Sequence, residues 1–158
     1  MALSASLVTE LSRLAHLVAE LDLSRPEEAV RALDEALPTG RRRDFETMLI
    51  EAHGEGTLTP RQGTPEGVWF GRVAKPSVET SEMSIDAVDM EGEATPHTHP
   101  RGEVSFCVAR EGAPLFDGHS PGWVVLPPGS HHTPTVVGGR MLIVYFLPGG
   151  AVEWGPKA

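Results

Sequence analysis

The stretch Pro96-His97-Thr98-His99-Pro100-Arg101-Gly102-Glu103 holds two histidines and a glutamate that strand geometry can bring together. Alternate side chains of a β-strand share one face, so His97 and His99 are predicted to point the same way. The proline and glycine that follow interrupt this strand, and Glu103 opens an apolar segment, residues 104–108, that is typical of the next strand. We therefore expect two imidazoles and one carboxylate to lie close together.

A second stretch, Pro127-Pro128-Gly129-Ser130-His131-His132, forms a predicted turn that brings further imidazole groups to the end of another strand. Three imidazoles and one carboxylate suit a single divalent ion of Fe, Mn, Ni, Cu or Zn, and the donor set alone does not choose among them. We interpret the rest of the chain as the scaffold that positions these side chains.

Short apolar segments separated by glycine and proline dominate the chain after residue 54. Strands are predicted at residues 67–73, 83–90, 104–108, 123–126 and 141–147. Turns are predicted at residues 91–92, 111–114, 117–118, 128–129, 138–139 and 148–150. Short strands with regular glycine and proline turns are typical of a mainly β sandwich or barrel.

Three helices are predicted before this β region. Residues 4–21 carry apolar side chains at spacings of three and four, which form a single helical stripe. A second helix is predicted to begin at Ser24, with a glutamate three residues later in the position of a capping box. A third is predicted to begin at Asp44 and to end at Gly54. We expect an N-terminal helical segment, residues 1–54, packed on a β-barrel, residues 55–158.

The charge and apolar pattern exclude several classes of partner. Formal net charge is −9, from 13 Lys and Arg against 22 Asp and Glu, which argues against nucleic acid. The run Arg41-Arg42-Arg43 is too short for a basic binding surface and is interpreted as a solvated loop between helices. No apolar run approaches a membrane helix and the N-terminus lacks signal-peptide features, so a cytoplasmic protein is expected. The single cysteine, Cys107, excludes an internal disulfide and is expected in the core.

The motif His97-x-His99-x-x-x-Glu103, followed by Pro127-x-Gly129-x-x-His132, resembles the two metal-binding motifs of the cupin superfamily. The resemblance implies a double-stranded β-helix, or jelly-roll barrel, and a homodimer. It also implies that His97, His99, Glu103 and His132 bind one divalent metal ion, with Glu103 either a ligand or an acid–base group. Two departures are present: Gly92 lies one residue closer to the first histidine than usual, and Val136 replaces a frequent asparagine.

The helical N-terminal part, the strand at residues 67–73 and the segment 134–145 are similar to the 4-hydroxylaminobenzoate lyase family. This resemblance implies conversion of 4-hydroxylaminobenzoate to 3,4-dihydroxybenzoate and ammonia, a reaction of nitroaromatic degradation. The reaction is redox-neutral overall, which agrees with a sequence that contains no glycine-rich nucleotide-binding fingerprint.

A small aromatic carboxylate would need a cation and an aromatic wall. Arginine binds carboxylate in bidentate fashion, and Arg72 is the first candidate, followed by Arg101. Trp69, Phe70 and Tyr145 are the candidate wall, although aromatic side chains at strand spacing also form plain core. Two interpretations stay open for His131: a solvent-exposed position, or a catalytic role as a proton shuttle.

Two other functions fit the same motif. One is an Fe(II)-dependent cupin dioxygenase acting on a small aromatic, and the other is a non-catalytic sensor of metal or ligand, because a fold does not fix a function. Oxygen dependence separates the first alternative from a lyase, since a lyase turns over anaerobically.

Overall fold

The computed structural model describes residues 2–63 and 66–157. In this part of the chain three helices precede nine strands, in the order α1 Ala5–Ala19, α2 Pro26–Ala36, α3 Thr39–Gly54, β1 Arg61–Gln62, β2 Trp69–Ala74, β3 Met83–Glu93, β4 His97–His99, β5 Glu103–Phe116, β6 Gly122–Leu126, β7 Ser130–His132, β8 Thr135–Pro148 and β9 Glu153–Trp154. No helix within these described residues is both long enough and apolar enough to cross a membrane.

The three predicted helices are present, but two of their starts differ from the prediction. Ser4 caps α1 by accepting a hydrogen bond from the Leu7 N–H. The predicted capping box at Ser24 is wrong, because α2 starts at Pro26 and the Ser24 hydroxyl donates to Asp22 instead. Proline suits the first turn of a helix because its missing N–H would have no partner there.

Helix α3 begins at Thr39, before the predicted start at Asp44. Arg41-Arg42-Arg43 therefore lies in this helix, and the predicted loop between helices is wrong. The guanidinium of Arg41 reaches back to α1, where its Nε lies 3.0 Å from the Glu10 carboxylate, which also binds Arg13. The guanidinium carbon of Arg42 lies over the ring of Phe106, 5.6 Å from its centroid. Arg41 therefore links α3 to α1, and Arg42 packs α3 against the sheet.

The strands form two antiparallel sheets. The larger has the order β1-β2-β3-β8-β5-β6 and the smaller has the order β7-β4-β9. Over the described part of the chain the strands do not close into a barrel. The predicted fold class is confirmed as mainly β with a helical N-terminal extension, and its β part is a sandwich of two facing sheets.

Three of the predicted turns are irregularities inside long strands. The register of β3 against β8 shifts between Met90 and Gly92, and that of β5 against β8 shifts at Ala109/Glu111 and Gly112/Leu115. Strands β5 and β8 therefore continue through the predicted turns at residues 111–114 and 138–139. Glycines permit this: a Cβ on Gly139 (φ 156°) would lie 1.8 Å from the Glu111 carbonyl oxygen.

The larger sheet has two different faces, as the alternation of side chains requires. One face packs against the helices, and this cluster includes Leu11, Leu33, Phe45, Phe106 and Phe146. The opposite face carries a second apolar cluster that includes Cys107, Met141 and Ile143. That second face looks toward the smaller sheet, and polar side chains lie between the two sheets.

Candidate metal centre

Four side chains from three strands converge between the sheets. His97 and His99 occupy both ends of β4, His132 ends β7 and Glu103 begins β5, and one ligand atom from each lies within 4.8 Å of the others. The Nε2 atoms of the three histidines are separated by 3.0 Å, 3.0 Å and 3.1 Å. His97, His99 and Glu103 are buried, so this group is withdrawn from bulk water.

The outer hydrogen bonds of two rings fix where their protons are. Nδ1 of His97 lies 2.8 Å from the Thr95 carbonyl, and Nδ1 of His132 lies 2.6 Å from Asp117 Oδ2. Both partners only accept, so each Nδ1 is the N–H donor. In the neutral rings the Nε2 atoms then carry lone pairs that point at each other across 3.1 Å. Two lone pairs cannot form a hydrogen bond, whereas a shared cation would satisfy both.

Glu103 brings a negative charge to the same point. Its Oε2 lies 2.6 Å from His99 Nε2, and the Ser105 hydroxyl donates to Oε1 at 2.5 Å. Burial raises the pKa of the Glu103 carboxyl, but the hydrogen bond and charge interaction with His99, together with the Ser105 hydroxyl and His132, outweigh it and hold the pKa below its usual value. Burial also lowers the pKa of His97. The lowered pKa values of His97 and Glu103 both favour the protonation states in which these two groups bind a divalent metal.

His131 lies on the other face of the smaller sheet. Its cross-strand partner is Thr98, whose hydroxyl lies 2.8 Å from His131 Nδ1. His132 pairs with His97 on the cavity face, as the period of two in a strand requires. The structure therefore gives His131 no contact with the four converging groups.

A cavity of about 910 Å³ opens beside this group. Phe70, Arg72 and Tyr145, three of the predicted substrate-binding residues, line it together with all four candidate ligands. Trp69 instead lines a second cavity of about 510 Å³, because it points to the opposite face of β2. Arg101 is exposed, and its guanidinium lies against Gly149. Of the predicted set, Trp69 and Arg101 are the two that the structure does not bring to the main cavity.

A polar row crosses the cavity face of the larger sheet. Arg72 pairs with Asp86, Asp86 with Tyr145, and Tyr145 with Ser105, each on the neighbouring strand. Arg72 Nε donates to Asp86 at 3.0 Å, and Ser84 donates to the other carboxylate oxygen at 3.1 Å. Burial raises the pKa of Asp86, although Arg72 opposes the shift. Burial, with the charges of Asp86 and Glu103, raises the pKa of Tyr145, which keeps its O–H.

Three residues around the site were not predicted from the sequence: Asp86 and Trp154, which line the cavity, and Asp117, which hydrogen-bonds His132. Asp86 lies in an apolar strand, where a carboxylate is itself an unusual feature and the available signal. Asp117 was interpreted only as part of a turn, and Trp154, which also lines the cavity, lies beyond the last predicted strand. Their roles depend on pairing between distant segments, which local patterns do not report.

A family model described as PnbB, 4-hydroxylaminobenzoate lyase, matches residues 12–154. The chain belongs to the 4-hydroxylaminobenzoate lyase family. The similarity inferred from the helices and the final strands is thereby confirmed, and this chain is placed in an enzyme family. All four candidate ligands and the cavity lie inside the matched range.

Two curated relatives carry the name 4-hydroxylaminobenzoate lyase. The protein from Nocardioides sp. (strain LMS-CY) is 35% identical over 91 residues, which cover 52% of this chain and 54% of that protein. The protein from Pseudomonas putida is 26% identical over 124 residues, which cover 68% of this chain and 70% of that protein. The match to the first relative thus spans about half of that protein's length.

Solved structures with a similar chain path include cupins. An RmlC-like cupin protein from Ralstonia eutropha JMP134 has a TM-score of 0.46 at 14% identity, over 60% of this chain and 64% of that chain. A cupin-like protein from Thermotoga maritima MSB8 has a TM-score of 0.42 at 17% identity, over 57% of this chain and 77% of that chain.

Proposed function

We propose that this member of the family is a metal-dependent lyase that converts 4-hydroxylaminobenzoate and water to 3,4-dihydroxybenzoate and ammonia. The proposal is carried by one observation: two imidazole lone pairs face each other across 3.1 Å beside a buried carboxylate, an arrangement that a bound cation would satisfy. In the overall reaction the N–O bond and the ring C–N bond break, and two ring C–O bonds are present in the product. Atoms and electrons balance without an external oxidant or reductant.

His97, His99 and His132 would hold the metal, with Glu103 as fourth ligand or as the acid–base group beside it. When bound, a divalent metal supplies Lewis-acid polarisation and lowers the pKa of water. The Glu103 carboxylate can accept a proton at Oε2 and return it, since the Ser105 hydroxyl keeps Oε1 hydrogen-bonded throughout. Tyr145, which keeps its O–H, can donate a hydrogen bond into the cavity.

The substrate carboxylate is proposed to bind Arg72. Asp86 contacts this arginine at Nε, which leaves the two terminal nitrogens of the guanidinium directed away from that contact. A planar fork of this kind suits a carboxylate. Phe70, Val88 and Ile143 supply apolar walls for a benzene ring and exclude water from it.

The deciding experiment is turnover of 4-hydroxylaminobenzoate under strict anaerobiosis. Protein stripped with a chelator would be reconstituted separately with Fe(II), Mn(II), Ni(II), Cu(II) or Zn(II), and ammonia and 3,4-dihydroxybenzoate would be quantified. We expect equal amounts of both products with at least one metal, and loss of activity on renewed chelation. The double variant His97→Ala/His99→Ala should purify without metal and without activity, whereas His119→Ala, at an exposed histidine outside the cavity, should keep both.

Other outcomes would redirect the proposal. Oxygen uptake with no anaerobic turnover would indicate the dioxygenase alternative. Metal binding without turnover in either atmosphere would remove this substrate and favour the sensor. One equivalent of metal retained by the double variant would contradict the ligand assignment itself.

A further inference from the structure

Trp154 continues the row of candidate metal ligands across the smaller sheet. Strand β9 pairs with β4 so that Trp154 lies opposite His97, and β7 pairs with the other side of β4 so that His132 also lies opposite His97. The three rings therefore share one face. Their centroids are 4.7 Å apart for His132 and His97, and 4.9 Å apart for His97 and Trp154.

The indole of Trp154 is held at the rim of the cavity. It lines the cavity, yet 66% of the residue is exposed, which places it between the candidate ligands and solvent. Strand β9 is only two residues long, and its position is fixed by pairing with β4 and by a hydrogen bond from the Gly155 N–H to the Pro96 carbonyl. The Trp154 ring therefore forms part of the cavity opening, where a ligand inside the cavity can contact it.

We infer that Trp154 is the specificity-determining residue that binds the ring of an aromatic carboxylate, a deepening that rests on the proposed function. An aromatic ring lying against the indole would be covered on one side by Trp154 and on the other by the apolar wall around Phe70. Aromatic pairs gain from offset or edge contacts beyond the area they bury, so this position selects planar aromatic rings over saturated rings of the same size.

The shape of the cavity supports one orientation of such a ligand. Arg72, the proposed partner of the ligand carboxylate, belongs to the larger sheet. Trp154 belongs to the smaller sheet, beside His97. A benzoate held at its carboxylate by Arg72 would thus extend between the sheets, with its ring face available to the indole. The inference predicts that Trp154 contributes to binding of the ring, while the four candidate ligands keep their places without it.

The test uses tryptophan fluorescence of the metal-loaded protein with two probes, 4-hydroxybenzoate and cyclohexanecarboxylate. Both carry the same carboxylate, but only the first has an aromatic ring. We expect 4-hydroxybenzoate to quench the wild-type emission, and Trp154→Phe to lose that quenching while Trp69→Phe, altered at the second cavity, keeps it. Isothermal titration calorimetry would measure the affinities, since the Trp154 variants lack the fluorescent reporter. Trp154→Ala should weaken 4-hydroxybenzoate binding about tenfold, with Trp154→Phe closer to wild type. Cyclohexanecarboxylate should bind wild type and Trp154→Ala equally.

Metal content separates ring binding from a merely structural role. Trp154→Ala should hold as much metal as the wild type, because the His97 ring is fixed by the Thr95 carbonyl. Lost metal in this variant would overturn the inference and make Trp154 a support of His97. Unchanged affinity for 4-hydroxybenzoate, or equal weakening for both probes, would overturn it as well.

Turnover of 4-hydroxylaminobenzoate, measured in parallel, separates this inference from the proposed function. Turnover with an unchanged KM in Trp154→Ala would overturn the inference alone. Trp154-dependent quenching by 4-hydroxybenzoate in a protein without lyase activity would support the inference and reject the proposed reaction. If wild type neither binds 4-hydroxybenzoate nor turns over, both are overturned.

Discussion

The hydrogen bond at Nδ1 of His132 decides which nitrogen of that ring faces the other histidines. Asp117 makes this bond with Oδ2, and with Oδ1 it accepts the backbone N–H of Thr135. Both carboxylate oxygens are therefore engaged with donors. Partners of this kind orient a metal-binding imidazole and are part of the site, although they never contact the metal.

Replacing Asp117 with asparagine should weaken metal binding about tenfold to hundredfold. An asparagine that keeps the Thr135 bond turns its NH₂ group toward His132, which then has to accept at Nδ1 and carry its proton on Nε2. Competition with a chelating dye would measure the affinity. Asp34→Asn, at an exposed position on α2, is the matched control and should bind like wild type. Equal affinities for the two variants would contradict this role for Asp117.

At the level of elements, paired glycines allow β5 and β8 to stay together past their irregularities. Gly112 lies opposite Gly139 in the register, and the backbone of each strand occupies the space that a Cβ would need. Bulges of this type leave an extra residue on one strand and increase the local twist. The arm formed by the far halves of β5 and β8 can thereby carry Asp117 to His132.

Gly139→Ala should lower the free energy of unfolding by about 2–4 kcal/mol, because its Cβ would collide with backbone that has no room to move. Gly40→Ala is the control, since nothing lies within 4 Å of the added Cβ. Alanine is favoured over glycine in a helix, and Gly40 lies in the first turn of α3, so that variant should be stabilised by less than about 1 kcal/mol. Urea unfolding would measure both, and a loss below about 1 kcal/mol in Gly139→Ala would contradict the close approach.

Sequence patterns predicted the elements better than their ends. Apolar segments identified β3, β5, β6 and β8, because burial leaves a local signal. The glycines at residues 112 and 138–139 suggested turns, since only the partner strand shows that the ladder continues beyond them. The start of α3 was missed for a related reason: the proline and glycine around Thr39 occur at both ends of helices.

The candidate site was predictable to the extent that its geometry is local. The period of two in a strand placed His97 and His99 on one face. The resemblance to the cupin motifs selected His132, whereas the position of His131 was left open. Arg72 was predicted because a carboxylate substrate would need a cation, and the structure places this residue in the cavity lining. Asp86 and Trp154 were missed, since each depends on the register between segments far apart in the chain. The division at residue 54, the homodimer and the cytoplasmic location stay predictions.

For the whole molecule, one carboxylate links the first and third helices. Glu10 is buried and receives hydrogen bonds from Arg13 at 2.8 Å and from Arg41 at 3.0 Å. The hydrogen bond from Arg13, with the Arg41 guanidinium adding to it against burial, lowers the pKa of Glu10 below its ordinary value of 4.5. The folded protein therefore holds this group ionised to lower pH than the unfolded chain does.

Because the pKa of Glu10 is lower in the folded protein, the free energy of unfolding should decrease as the pH falls. The contribution of Glu10 should be complete above pH 4.5, its unfolded value, and should be lost as the pH falls through the lower folded value. Glu10→Gln should be destabilised by about 1–3 kcal/mol near neutral pH, and the difference from wild type should shrink below pH 4.5.

Unfolding midpoints at several pH values would measure the difference. Glu28→Gln, at an exposed pair with Arg25, should change stability by less than about 0.5 kcal/mol at any pH. A Glu10→Gln difference that is constant with pH would show that the loss comes from packing rather than from charge.

The position of β8 also sets when the larger sheet can assemble. It lies between β3 and β5, so neither strand has its full set of partners until residues 135–148 have been synthesised. A nascent chain on the ribosome exposes two long apolar strands with open edges, and His132 reaches β4 at almost the same moment. Folding and completion of the ligand group are therefore late, linked events of translation, and chains stopped before residue 135 are expected to aggregate.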